Sequence, residues 1–197
     1  LDTIRGKVVK PLKGLRVAPY LGCMVPRPDY QKRWSDAEHP TELDRVLKAL
    51  GAEVIDFPLK THCCGGHMTQ ISPDTAFEMI GRLLASANQY KADVIATVCP
   101  MCQMNLDAYQ AEALRYMRSQ NRTVENRIPI LFFTQLMGVA FGKDPKKLGY
   151  GREFINAHDA MGRVGVETPL PEEAKPKRKK TTGLPMPAMP GQEAEEE

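Results

Sequence analysis

The chain has 197 residues, with 27 Lys and Arg against 24 Asp and Glu for a formal net charge of +3. That length suits one α/β domain plus a tail. So small a net charge gives no basis for nucleic-acid binding, and no apolar run reaches the roughly 18–20 residues that a bilayer-spanning helix needs. Residues 1–13 read as a basic, amphipathic approach segment without the apolar core of a signal peptide, and the start at Leu1 suggests a chain that begins partway through a longer protein. Five cysteines, an odd number with no export signal, predict reduced thiols or metal ligands in the cytoplasm.

Taken in order, Gly14–Leu21 is predicted as a short apolar strand, for which Pro19 suggests an edge position or an early exit. Met24–His39, with Pro26 and Pro28, is a loop. Between Pro40 and Leu50 the apolar residues Leu43, Val46, Leu47 and Leu50 recur at helical spacing, acids come first, and Gly51 is the stop. Glu53–Phe57 is a second strand, and Pro58–Thr61 leads into His62-Cys63-Cys64-Gly65-Gly66.

Ser72-Pro73-Asp74 opens a helix, with Ser as N-cap, Pro in the first turn and an acid near the positive end. Phe77, Ile80, Leu83, Leu84 and Ala87 share its apolar face. Asp93–Val98 is a near-continuous apolar run of the buried parallel kind, ending on Cys99-Pro100-Met101-Cys102. Leu106, Tyr109, Ala113, Leu114 and Met117 continue as a helix, Ile128–Phe133 is a fourth strand, and Thr134–Phe141 is a last short helix.

Strands alternating with helices predict an α/β fold: a Rossmann-like, mostly parallel sheet with helices on both faces, spanning residues 14–160. Residues 161–197 are expected to be a disordered tail, because from about Glu167 six prolines interleave with the basic run Lys175–Lys180 and the acidic end Glu193–Glu197. The basic run is read as solvated rather than as a partner site.

Within that frame Cys23, the Cys63/Cys64 pair and Cys99/Cys102 each fall just past the carboxyl end of a predicted strand. Open α/β sheets bind ligands at that edge. Every cysteine thus belongs to one pattern, C-x39-CC-x34-C-x2-C. Adjacent thiols such as Cys63 and Cys64 are poor partners for each other in a disulfide but suit one shared inorganic centre. Gly65 and Gly66 let backbone approach such a centre closely, and a Cys-x-x-Cys opening a helix sits near unpaired N–H groups and the positive dipole end. Met24, Met68, Met101 and Met104 supply soft apolar packing nearby.

Three chemistries remain open on these residues. Structural zinc takes four ligands and usually draws on two local pairs, whereas here one cysteine stands alone, the central pair has no spacer, and there is one thiol too many. A bare dithiol at Cys99/Cys102 leaves three cysteines unexplained. An iron–sulfur centre accommodates all five, so it ranks first, zinc second and dithiol chemistry third. His62 and His67 flank the pair; on the plainer reading they hydrogen-bond locally, and as functional residues they would deliver protons.

The stretches Leu15–Cys23, Leu59–Gly65 and Val98–Asp107 resemble the carboxyl-terminal half of the B subunit of heterodisulfide reductase, the family carrying the cysteine-rich CCG domain, over about Lys10–His158. The resemblance implies a non-cubane [4Fe–4S] cluster held by Cys23, Cys63, Cys64, Cys99 and Cys102. It implies cleavage of a disulfide there, each sulfur going to iron; Cys63 and Cys64, with His62 and His67 beside them, are the candidate catalytic residues. Electrons would come through a flavoprotein subunit and a small ferredoxin-like iron–sulfur subunit, the flavin residing only in that partner. Family members carry two CCG halves with substrate between them, so an N-terminal CCG half or a partner supplying it is expected. Gly66–Gln70 is closer to a sulfur-oxidising branch of Hdr-like complexes, which handle sulfane sulfur with a lipoate-carrying protein. CCG subunits of lactate- and glycolate-type oxidoreductases and a zinc-stabilised assembly module are the alternatives.

Overall fold

The structure is a computed structural model that describes residues 1–26, 36 and 38–170. Its centre is a four-stranded parallel sheet of β1 (Arg16–Tyr20), β2 (Glu53–Val54), β3 (Val94–Thr97) and β4 (Ile130–Phe132), in the order β2-β1-β3-β4. Val17 to Tyr20 pair in register with Val94 to Thr97, and Ile95 to Thr97 with Ile130 to Phe132. All four residues of β3 are buried, as its continuous apolar sequence requires.

Alternation along the strands divides the core in two. Val17, Val94, Ala96 and Leu131 face one side, with Leu43, Leu47, Leu136, Val139 and Met161. These residues come from α2 (Glu42–Ala49), α7 (Phe133–Ala140) and α8 (His158–Gly162). Ala18, Tyr20, Ile95 and Ile130 face the other side, with Ile80, Leu83, Leu84, Leu106, Ala113 and Met117. Those come from α4 (Pro73–Gln89), α5 (Pro100–Ala108) and α6 (Gln110–Ser119). Helices therefore cover both faces, as the alternation of strand and helix predicts. A short α1 (Asp2–Lys7), which buries nothing, a single turn α3 (Met68–Ile71) and a 3-10 turn at Pro145–Leu148 complete the set among the described residues.

Three expectations change. β1 is central, not an edge: the carbonyls of Leu15 and Val17 accept from Glu53 and Ile55, so odd-numbered residues of β1 face β2, and β2 ends before it reaches Pro19. The missing N–H of Pro19 leaves no ladder bond unmade. The helix after Cys102 breaks at Tyr109, and α6 starts afresh with Gln110, whose buried amide donates to the Ile128 carbonyl at 2.7 Å and accepts from the Ile128 N–H at 3.1 Å. Finally, packing continues past residue 160, where α8 buries Met161 and the chain beyond it buries Val166 and Thr168. The expected tail from 171 onward lies outside the described residues.

Candidate iron–sulfur site

The order β2-β1-β3-β4 makes the chain leave β1 for one side and return on the other, so the gap between β1 and β3 is a topological switch point. The turn after β1 carries Cys23, the loop after β2 carries Cys63 and Cys64, and the turn after β3 carries Cys99 and Cys102. Cys99 occupies the N-cap of α5, its N–H donating to the Thr97 hydroxyl at 3.3 Å, and Cys102 lies in the first turn. Cys64 and Cys102 are 3% and 5% exposed and their sulfurs are 3.5 Å apart, while Cys23, Cys63 and Cys99 are half-buried. None is in a disulfide.

Glycine shapes this rim at two positions. Gly22 takes a left-handed φ of +69°, and a Cβ there would lie 2.9 Å from Cys102 Sγ. A Cβ on Gly66 would lie 3.7 Å from Cys64 Sγ. Backbone N–H groups turn toward sulfur, that of Gly65 donating to Cys63 Sγ at 3.3 Å. The hydrogen bond with Cys102 brings the Cys64 thiol down to about 6 against opposing burial, with further help from the Gly66 N–H and Asn105. The same contact and burial push Cys102 up.

Several residues hold the loops that the cysteine pattern does not reveal. The side chain of Asn105, 2% exposed, donates to the Cys64 carbonyl at 2.9 Å and accepts from the Thr69 hydroxyl at 2.8 Å, tying α5 to the Cys63–Cys64 loop. Tyr20, fully buried, donates to the His62 carbonyl at 2.6 Å. Burial raises its pKa first, and the charges of Cys64, Cys102, Cys63 and Cys23 raise it further. The Lys60 carbonyl accepts from Leu21 and Gly22 N–H at 2.8 and 3.1 Å, fixing the turn before Cys23. Its ammonium, buried, pairs with Asp44 at 2.8 Å and donates to the Pro40 carbonyl at 3.3 Å. Asn105 could have been found as the residue one turn beyond Cys102 on the same helix face, and Tyr20 as the period-2 partner of inward-facing Ala18. Nothing in the sequence marks Lys60.

The histidines are different. His62 and His67 are exposed, and neither ring hydrogen-bonds to the described residues. The His62 side does border a cavity of about 70 Å³ shared with Cys63, Leu59, Met79, Arg82 and Leu83. Among the described residues no three His, Cys, Asp or Glu side chains gather closely enough to hold a single metal ion, and no helix is long and apolar enough to cross a membrane.

A parallel sheet that brings cysteines from three consecutive strand ends to one switch point defines a cysteine-rich domain, and residues 17–107 match the family described as CCG cysteine-rich domain. The chain carries that domain and is homologous to the B subunit of heterodisulfide reductase. It is 26% identical over 165 residues to the B subunit of the ferredoxin:CoB-CoM heterodisulfide reductase of Methanosarcina mazei, covering 83% of this chain and 53% of that protein. Identity reaches 34% over 157 residues with the 8-methylmenaquinol:fumarate reductase membrane anchor subunit of Wolinella succinogenes, covering 80% of this chain and 54% of that one. The chain thus spans about half the length of these relatives. A crystal structure of a hypothetical protein from Helicobacter pylori shares the fold, with a TM-score of 0.56 and 12% identity over 79% of this chain and 28% of that one.

Proposed function

We propose that the chain is the iron–sulfur subunit of a heterodisulfide reductase-like complex, reducing a disulfide, or oxidising sulfane sulfur in the reverse sense, at a non-cubane [4Fe–4S] cluster. Cys23, Cys63, Cys64, Cys99 and Cys102 would hold it. The observation that carries the reading is that all five cysteines of the chain follow the carboxyl ends of three adjacent parallel strands. The donor set fits: thiolates are the usual ligands of such clusters, Gly22 and Gly66 keep side chains away from the sulfurs, and the Gly65 N–H together with the start of α5 favours negative charge on them. Zinc fits less well, because one ion needs four ligands gathered at a point and no three are so gathered among the described residues.

When bound, such a cluster supplies electrons and iron positions for sulfur. The chain's own residues then have distinct tasks. Tyr20 and Asn105 fix the carbonyls of His62 and Cys64, and so the direction of both central thiols. Reducing a disulfide to two thiols consumes two electrons and two protons. His62 and His67, exposed beside the Cys63/Cys64 loop, would deliver the protons. Electrons would enter from a ferredoxin-like subunit and a flavoprotein subunit, and the N-terminal CCG half or a partner would close the site. A cytoplasmic location, where thiols stay reduced, would suit this cysteine content.

The higher identity to a subunit of a quinol-linked fumarate reductase favours a second reading, an electron-relaying subunit with no disulfide substrate of its own. Iron, acid-labile sulfide and zinc are to be measured on anaerobically purified protein. About four irons with matching sulfide per chain support the cluster, whereas one zinc without sulfide refutes it. Disulfide turnover by the assembled complex then separates the two redox readings.

A further inference from the structure

The contact between Cys64 and Cys102 has a use beyond ligation. Their sulfurs, 3.5 Å apart, come from two separate elements, the loop after β2 and the first turn of α5. A disulfide needs about 2.05 Å, so a modest side-chain adjustment closes the gap. Gly22 beside Cys102 and Gly66 beside Cys64 bring no side chain of their own against the sulfurs, and Met101 packs against Gly66. The remaining thiols are placed otherwise. Cys63 Sγ is engaged by the Gly65 N–H, and a bond from Cys63 to its neighbour Cys64 would close a strained ring. Cys99, the half-buried N-cap of the helix, also hydrogen-bonds to Cys102 and is the rival partner that the test must separate.

We propose that, whenever its centre is absent, the chain forms an intramolecular Cys64–Cys102 disulfide that keeps the site from reloading until a dithiol reductant opens it. The oxidant is a peroxide. The Cys64 sulfur takes one oxygen as the O–O bond breaks, forming a sulfenic acid; the Cys102 sulfur then attacks it, the S–S bond forms and water leaves. Two thiols and one hydrogen peroxide give one disulfide and two waters. A small dithiol reverses the step by exchange, ending as its own disulfide. The inference rests on the sulfur contact and not on the identity of the metal, so a zinc protein would crosslink alike.

The test uses the full chain, stripped of metal by chelator under argon, given one equivalent of hydrogen peroxide, blocked with N-ethylmaleimide and digested. The expected product is a peptide pair linked through Cys64 and Cys102, with maleimide on Cys23, Cys63 and Cys99, and full reversal by dithiothreitol. Cys99→Ser, which removes the rival neighbour of Cys102 and keeps both members of the pair, should still give the Cys64–Cys102 link as its product. A Cys99–Cys102 or Cys63–Cys64 link as the main product, or loss of crosslinking in Cys99→Ser, overturns the proposal. So does uptake of iron and sulfide by the crosslinked chain at the level of the reduced one. Failure of the reduced chain itself to take up iron and sulfide counts against the cluster reading and leaves the crosslink standing.

Discussion

Gly22 and Gly14 form a matched pair for testing whether the rim geometry matters. Both hold left-handed φ, +69° and +84°, but a Cβ on Gly14 meets nothing within 4 Å, whereas on Gly22 it meets Cys102 Sγ at 2.9 Å. An alanine at either site costs about 1–2 kcal/mol of backbone strain. In a chain of this size that lowers Tm by roughly 2–8 °C. Gly22→Ala carries an added burden: its Cβ is 0.5 Å short of the 3.4 Å at which ordinary contact begins, so the sulfur must move. Gly14→Ala should therefore lose stability and keep its metal, while Gly22→Ala should lose both. The assay is thermal unfolding by circular dichroism beside iron and sulfide content per chain. Full metal content in Gly22→Ala, with a Tm loss equal to that of Gly14→Ala, would refute the placement of Cys102 under Gly22.

Lys60→Met should destabilise by about 3–5 kcal/mol in chemical denaturation, because it strands the buried Asp44 carboxylate, whose Oδ2 already lacks a partner; Lys60→Met with Asp44→Leu should recover most of that loss, and no recovery would mean that the pair is not the cause. Burial raises the pKa of Glu153, which keeps one carboxylate oxygen buried and unpartnered and has the Asp107 charge nearby. A raised carboxyl stabilises the fold below its unfolded value and loses that contribution as pH rises through the folded one, so Glu153→Gln should raise Tm at pH 7.5 and leave it unchanged near pH 4; an equal effect at both would exclude ionisation as the cause. Asn105→Ala removes the donor to the Cys64 carbonyl and the acceptor for Thr69, costing about 2–3 kcal/mol, and hydrogen exchange should rise selectively at Gly65 to Thr69; a uniform rise across α4 would argue against a local clamp. In metal-free protein the iodoacetamide reactivity of Cys64 should rise through about pH 6 and shift upward in Cys102→Ala, since the thiol of Cys102 is the main cause; an unchanged midpoint would sever the link.

Strand and helix alternation, the Gly51 stop and the Ser72-Pro73 start were all readable from local rules, since each concerns residues that interact along the chain. The convergence of the cysteines was readable too, because strand ends in a parallel sheet lie at one edge whatever the strand order. What local pattern does not contain is that order. Pro19 looked like an edge residue because the sequence does not show that β2 is only two residues long. Tyr20, Lys60 and Asn105 act on backbone groups 36 or more residues away or on turns set by tertiary packing, so their roles appear only when the loops are in place. The burial of Met161, Val166 and Thr168 depends on the face beside α2 and α7, which composition alone does not reveal.

All five thiols reside on three turns; Cys64 and Cys102 also reach into the core under α4, α5 and α6, whereas the core under α2 and α7 contains no thiol. Folding information and chemical information are thus separate on one face of the sheet and shared on the other. Changes of residue or length in those turns can alter what the rim holds while the α2 and α7 face packs as before.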